Sequence, residues 1–147
     1  MRAVVQRVTE AQVTVGKRVS GKIGRGAVIL LGVARDDSPD DAVYLVRKIS
    51  QLRMFADENG KMNVAAKDVG AGFLVISQFT LYGNCRKGRR PSFDQAAPPE
   101  EGERLYALFA EQLRQEGFQV ETGEFGAMMD VDLVNNGPVT FILESER

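Results

Sequence analysis

The chain contains no histidine. That absence removes the commonest general base, the usual Ser-His and Cys-His arrangements and most zinc sites. Cysteine occurs once, as Cys85, which excludes an internal disulfide framework and fits a reducing compartment. No apolar run approaches the length of a bilayer span, and the longest, at 27–31, has the length of a core strand. The first residues, Met-Arg-Ala-Val-Val-Gln-Arg, alternate as a strand does and lack a signal peptide's apolar block. The expectation is a cytoplasmic protein without membrane association. Aspartates are plentiful, yet no Asp-x-Asp-x-Asp-Gly loop or comparable ligand cluster occurs, so neither metal nor cofactor is expected. Any catalysis must then come from hydroxyls, amides, backbone groups, lysine or carboxylates, or be helped by the substrate itself.

What is present fits one ordinary domain. The chain has 147 residues, 44% of them hydrophobic, enough for a substantial core. Its net charge of −1 hides an asymmetry. Residues 1–33 carry six Lys or Arg against one acid, residues 34–93 ten against seven, and the remainder three against twelve. Within the middle block, Arg86, Lys87, Arg89 and Arg90 surround Gly88, placing four cations in five positions. Such a run is either a solvated face or a loop that meets phosphates. A pI of 5.6 argues against a general nucleic-acid coat and permits a local contact with an RNA end.

Patterning gives the order strands, helix, strands, helix, strands. Residues 2–9 and 11–15 alternate, a Gly16-Lys17 turn leads to a return strand at 19–23, and 27–31 is a buried strand. Ser38-Pro39-Asp40-Asp41 is a helix start, with a capping serine, proline at the first helical position and acids at the positive end of the dipole. Ala42, Leu45, Val46, Ile49 and Leu52 share one face of that helix. Asn59-Gly60 marks a hairpin between 53–56 and 61–64. A second helix runs over 99–116 with Leu105, Leu108, Phe109 and Leu113 on its core face, and Gly117 ends it. Strands follow at 118–122, 128–134 and 139–143. The expected fold is α/β: a single domain, 1–147, of mixed sheets with two main helices on one side and extra strands covering the other.

Two stretches stand out. Residues 73–76 are a continuous apolar run, as in a strand covered on both faces. From Ser77 to Tyr82 the pattern turns mixed, and read as a continuing strand it sends Ser77, Phe79 and Leu81 one way and Gln78, Thr80 and Tyr82 the other. Those polar groups need protein, water or a ligand as partners. The second stretch is Asn135-Asn136-Gly137-Pro138-Val139-Thr140. A Gly-Pro between two strands reads as a plain turn; a cis Gly-Pro would instead aim two carbonyl oxygens the same way from a stiff support, able to screen the shape of a small group.

Together, the 77–82 and 135–140 blocks resemble the signature pair of the D-aminoacyl-tRNA deacylases. The first eight residues, the Arg86-Lys87-Gly88-Arg89-Arg90-Pro91-Ser92-Phe93 run and Phe125-Gly126-Ala127 match in type and order as well, so the resemblance covers essentially the whole chain. It implies a three-layer β/β/α fold and a homodimer with its active site at the subunit interface. It implies a cis Gly137-Pro138 bond, the motif entering the partner's pocket beside Ser77, Gln78, Phe79 and Thr80. The implied substrate is the 3′ end of an aminoacyl-tRNA carrying a D-amino acid or glycine, and the reaction is ester hydrolysis. On this reading backbone N–H groups around Phe79 and Thr80 polarise the ester, and the Gln78 amide and Thr80 hydroxyl orient water or substrate; a purely structural Thr80 hydroxyl is the alternative. Arg7 either braces the Gly-Pro segment or faces solvent. Phe125 and Met129 either line the adenosine pocket or pack in the core, and Met128 replaces a residue often polar in the family. Arg86, Lys87, Arg89 and Arg90 are the expected acceptor-stem phosphate contacts.

Three other functions compete. A non-catalytic RNA-binding module needs only the basic loop, but no aromatic stacking platform or familiar RNA motif is visible. An esterase of small metabolites would use Ser77 or Thr80 as nucleophile, but has neither a Gly-x-Ser-x-Gly elbow nor a histidine. A structural dimer would show no turnover.

Overall fold

The structure is a computed structural model describing residues 1–145. Strand β1, Arg2–Val15, is the spine. Along one edge it pairs antiparallel first with β3, Gly26–Gly32, over residues 2–8 and then with β2, Arg18–Ile23, over 11–15. Its other edge carries β8, Asp130–Glu144, also antiparallel. β3 continues in parallel to β6, Gly72–Ser77, and β6 to β7, Gln119–Thr122. Parallel neighbours need crossovers, and helices α1, Pro39–Gln51, and α2, Pro99–Gln115, supply them on one face of the sheet. A short hairpin, β4 at Phe55–Ala56 and β5 at Met62–Val64, lies in the first crossover, followed by a 3₁₀ turn at Ala66–Val69 for which the sequence reading had no element.

Alternation along the strands builds two cores. Ala27, Ile29, Leu31, Phe73 and Val75 face the helices, where they bury Leu45, Ile49, Leu105, Phe109 and Leu113. Val28, Leu74 and Ile76 point the opposite way and meet Val8, Ala11, Val13 and Ile23 inside the curl of the sheet. The curl nearly closes where β2 reaches β7, with the Ser20 hydroxyl donating to the Thr122 carbonyl at 3.1 Å. Three layers result, strand, strand and helix, as expected. Each fully buried Val, Leu, Ile, Phe or Met side chain between them contributes about 1.5–3 kcal/mol of apolar transfer energy.

Local chemistry explains the helix ends. The Ser38 N–H donates to Asp41 Oδ2 at 2.8 Å, closing the start of α1. At the end of α2, Gly117 takes φ +96°, its N–H reaches the Arg114 carbonyl at 2.9 Å and the Phe118 N–H reaches that of Leu113 at 3.4 Å, the paired bonds of a Schellman ending.

Three expectations need correction. Residues 2–9 and 11–15 belong to one strand, and the break in pattern is a bulge: Val8, Ala11 and Val13 all face the inner core although 8 and 11 differ in parity. Residues 128–134 and 139–143 are likewise not a hairpin pair, because β8 is one strand running the length of β1. Its register jumps from Gln6↔Thr140 to Val8↔Asn135, so 136–139 are extruded from the ladder rather than forming a turn between strands. Finally, β6 stops at Ser77, and residues 78–82 are not strand.

Candidate active site

The strand stops at Ser77 because the neighbouring β3 has its last partner there, Leu31, whose carbonyl receives the Gln78 N–H at 2.8 Å. Past that point no ladder is available to 79–82, and the backbone satisfies itself locally as a 3₁₀ turn, Phe79–Tyr82. Leu81 N–H returns to the Gln78 carbonyl at 3.2 Å and Gly83 N–H to that of Thr80 at 2.9 Å. Phe79 and Thr80 head the turn, where no earlier carbonyl of the turn can accept their N–H groups. The Gln78 side-chain amide donates to the Thr80 hydroxyl, so the two polar groups are joined rather than spaced two residues apart along one face of a strand.

This turn forms one wall of a cavity of about 780 Å³. Ser77, Gln78, Phe79 and Thr80 lie on that wall, and Phe125 and Met129 line the same cavity. Phe125 also packs against Tyr106, at 6.0 Å between ring centres, and Met129 against the inner core, so each lines the cavity and packs against its surroundings at once. Met128 projects beside them, 89% exposed. Three contributions escaped the sequence reading. Phe93 lines the cavity and meets Phe79 edge to face at 5.0 Å. Gly102 lines it from the first turns of α2, where a Cβ would stand 3.6 Å from the Phe125 ring; a glycine inside a helix pattern was the signal available. Ala96 and Ala97 complete that side, and small residues in a loop give no signal.

Phe93 also ties the cavity to the basic loop. Asn84 and Ser92 exchange backbone hydrogen bonds of 2.7 and 3.0 Å, making a narrow stem that presents Arg86, Lys87, Arg89 and Arg90 to solvent. Phe93 follows that stem directly, so the chain that carries the cations runs straight into the cavity wall beside Phe79. Cys85 is exposed at the base of the same loop.

The extruded segment of β8 lies elsewhere. The Gly137-Pro138 bond is cis. Arg7 donates through Nε to the Asn136 carbonyl at 3.2 Å and through Nη1 to that of Met54 at 2.8 Å, while Asn135 holds Thr140 Oγ1 at 3.1 Å and receives the Val139 N–H at 3.3 Å. None of residues 135–138 lines the cavity of its own chain. Among the described residues no group of three or more His, Cys, Asp or Glu is arranged to hold a metal ion, and no helix is long and apolar enough to cross a membrane.

A curled mixed sheet backed by two helices, with a strand-end turn opening on an apolar cavity that a basic loop leads into, defines a class of small α/β proteins. Comparison with known proteins gives the family. Residues 4–144 match the family model described as D-Tyr-tRNA(Tyr) deacylase, and the chain belongs to that family. It is 58% identical over 146 residues to the D-aminoacyl-tRNA deacylase of Anoxybacillus flavithermus, covering 99% of this chain and all of that one. It is 58% identical over 147 residues to that of Thermus aquaticus, covering 100% and 97% of the two chains. Among solved structures it resembles a c-Myc DNA unwinding element binding protein, at 44% identity and TM-score 0.93 over the full length of both chains. It shares its fold with a structure described as a probable eukaryotic D-amino acid tRNA deacylase, at 17% identity and TM-score 0.85 over 97% and 98% of the chains.

Proposed function

We propose that this protein hydrolyses the ester joining a D-amino acid, or glycine, to the terminal ribose of tRNA, and so removes mischarged residues before translation uses them. The observation that carries the reading is the Phe79–Tyr82 turn, whose leading N–H groups head a cavity large enough for an aminoacyl-adenosine terminus. An aminoacyl ester is already activated, so positioning and polarisation supply most of the catalysis and a histidine is not required. A water oxygen adds to the ester carbonyl carbon. The developing oxyanion is held by the Phe79 and Thr80 N–H groups, and collapse breaks the bond to the ribose oxygen. That oxygen takes up the proton shed by the attacking water, relayed by the neighbouring 2′-hydroxyl, leaving free amino acid and free tRNA. Gln78 and Thr80, linked to each other, orient the water and the amino acid. Phe125 and Met129 flank the adenosine, Ser77 closes the floor, and the 86–90 loop meets acceptor-stem phosphates.

Handedness is sieved by exclusion. In this reading a second copy inserts its Gly137-Pro138 corner into the cavity, where its carbonyl oxygens face the substrate's amino group and α-hydrogen. An L side chain collides with the corner, a D side chain points outward, and glycine has nothing to exclude. Two observations support a contribution from a partner. The corner is extruded from its own ladder and lines no part of its own cavity. Among the described residues no strand pairs with the outer edge of β8, and Ile142 is 70% and Val134 49% exposed. The protein acts without metal or cofactor, in the cytoplasm where aminoacyl-tRNAs are used.

The test is release of labelled amino acid from matched D-tyrosyl-, L-tyrosyl- and glycyl-tRNA, with and without chelator. Rapid release from the D and glycyl forms, slow release from the L form and indifference to chelator are expected. Similar rates for the D and L forms would overturn the sieve, and tRNA binding without release would leave a binding module.

A further inference from the structure

The mechanism above asks the Phe79–Tyr82 turn to hold two N–H groups still, yet the turn is four residues long and lies beyond the end of its sheet. A 3₁₀ turn of this length has weak internal hydrogen bonds, and its last carbonyls have no partner within it. Something outside it must fix its orientation. At the C-terminal end of the turn a side chain supplies the hydrogen bond. Arg2 projects from the first position of β1, and its Nη1 donates to the Leu81 carbonyl at 2.6 Å. Its Nε donates to Glu144 at 2.6 Å, near the end of β8, and its guanidinium carbon lies 4.7 Å from the centre of the Tyr82 ring.

We infer that Arg2 is a positioning residue for ester hydrolysis: its guanidinium clamps the C-terminal end of the Phe79–Tyr82 turn to β1 and β8, and thereby aims the Phe79 and Thr80 N–H groups into the cavity. The inference rests on the proposed function. Arg2 is absent from the cavity wall, so it touches no substrate; it acts through the turn. Three features of a guanidinium are used at once. A planar fork reaches a carbonyl and a carboxylate in different directions, and a flat cation lies on an aromatic face. A positive charge at the carbonyl end of the turn also complements the aligned peptide dipoles whose N–H ends face the cavity. The Glu144 pair is half-exposed and contributes little stability by itself, but it stops the guanidinium from rotating away from Leu81. The same salt bridge connects the turn to β8, the strand that carries the Gly137-Pro138 corner.

The experiment uses full-length protein carrying Arg2→Met, which keeps an apolar stem on Tyr82, and Arg2→Lys, which keeps stem and charge but has one ammonium where the fork had two arms. D-tyrosyl-tRNA release is measured at saturating and limiting substrate, alongside thermal unfolding. Because small misplacements of catalytic groups cost up to about 100-fold in rate, kcat is expected to fall about 10- to 100-fold in Arg2→Met. KM should stay within about twofold, since the groups that bind tRNA are untouched. Arg2→Lys should recover part of the loss, and both midpoints should remain near that of the parent. A kcat within about twofold of the parent in both variants would overturn the clamp, as would a rise in KM at unchanged kcat, which assigns Arg2 to tRNA binding. If Arg2→Met does not fold, Arg2→Lys decides alone: full activity refutes the inference. A parent protein inactive on D-tyrosyl-tRNA fails the proposed function instead, so the two failures are distinct.

Discussion

Tyr82, at the end of the 79–82 turn, has its hydroxyl pushed up to about 12, first by burial and then by the negative charge of Asp37, with Arg2 opposing. The folded protein therefore holds this proton more tightly than the unfolded chain, where tyrosine titrates near 10. The resulting stability is whole below about pH 10 and is lost as pH climbs from there toward 12. Tyr82→Phe removes the titrating group, so the decline of the urea midpoint between pH 9.5 and about 11 should be shallower in that variant than in the parent. Thr80 is the second residue that decides something. Its hydroxyl is held by the Gln78 amide, and in the proposed mechanism the carbonyl is activated by backbone groups. Thr80→Ala should then lower single-turnover release by no more than about tenfold, whereas loss of a covalent nucleophile would abolish it. The sequence exposed these residue types at a strand end but not their mutual contact. A period-two reading sends 78 and 80 to one face and leaves them far apart, and only a local tightening into a 3₁₀ turn brings amide and hydroxyl together.

Elements determine whether the turn is held true. Gly32 ends β3 beneath it, and a Cβ there would lie 3.1 Å from Leu81 Cβ, 3.2 Å from the Gln78 carbonyl oxygen and 3.2 Å from the Tyr82 ring. Gly32→Ala should shift the turn by tenths of an ångström, lowering kcat by about tenfold while moving the unfolding midpoint by little. The 84–92 stem is a separate element with a separate consequence. Replacing Arg89 and Arg90 with Ala should weaken tRNA binding and reduce the slope of log affinity against log salt by about 1.4–1.8, the effect of losing two phosphate contacts. Unchanged affinity by filter binding would remove the loop from the interface. Helix ends and buried strands were legible because their signals are local: Ser38 with Pro39, Gly117, and the continuous apolar run from 27 to 31. β8 was not, since the Asn-Asn-Gly-Pro segment carries every mark of a turn. What overrides it is β1, a partner long enough to pair with 130–135 and 140–144 on both sides of the extrusion.

At the scale of the whole molecule, the cavity and the Gly137-Pro138 corner do not meet within one copy. The cavity and the Gly137-Pro138 corner belong to one chain yet lie apart, and Arg7 props the corner from the Met54 and Asn136 carbonyls without bringing it to Thr80. Ile142 stands directly across from Val4 on β1, giving an apolar patch on the strand face away from the helices. A second copy covering that patch is the dimer that the proposed chiral sieve needs. Ile142→Asp places a charge in it and should yield monomers by sedimentation, with D-tyrosyl-tRNA release falling by about 100-fold or more if the corner comes from the partner. A monomeric variant with full activity would confine the site to one chain.

From the sequence alone came the family resemblance, the two helices with their caps, the buried strands, the cation-rich loop and the two blocks of unusual residues. Each depends on residue type at short range, where periodicity, capping and steric preference speak directly. Only the tertiary structure decided that 79–82 is a turn, that Phe93 and Gly102 share a cavity with Phe125, and that Arg2 grips Leu81 across 79 positions of sequence. Those facts depend on where neighbouring strands end and which carbonyls they leave without partners. No reading of adjacent residues contains that information, because long-range pairing creates it.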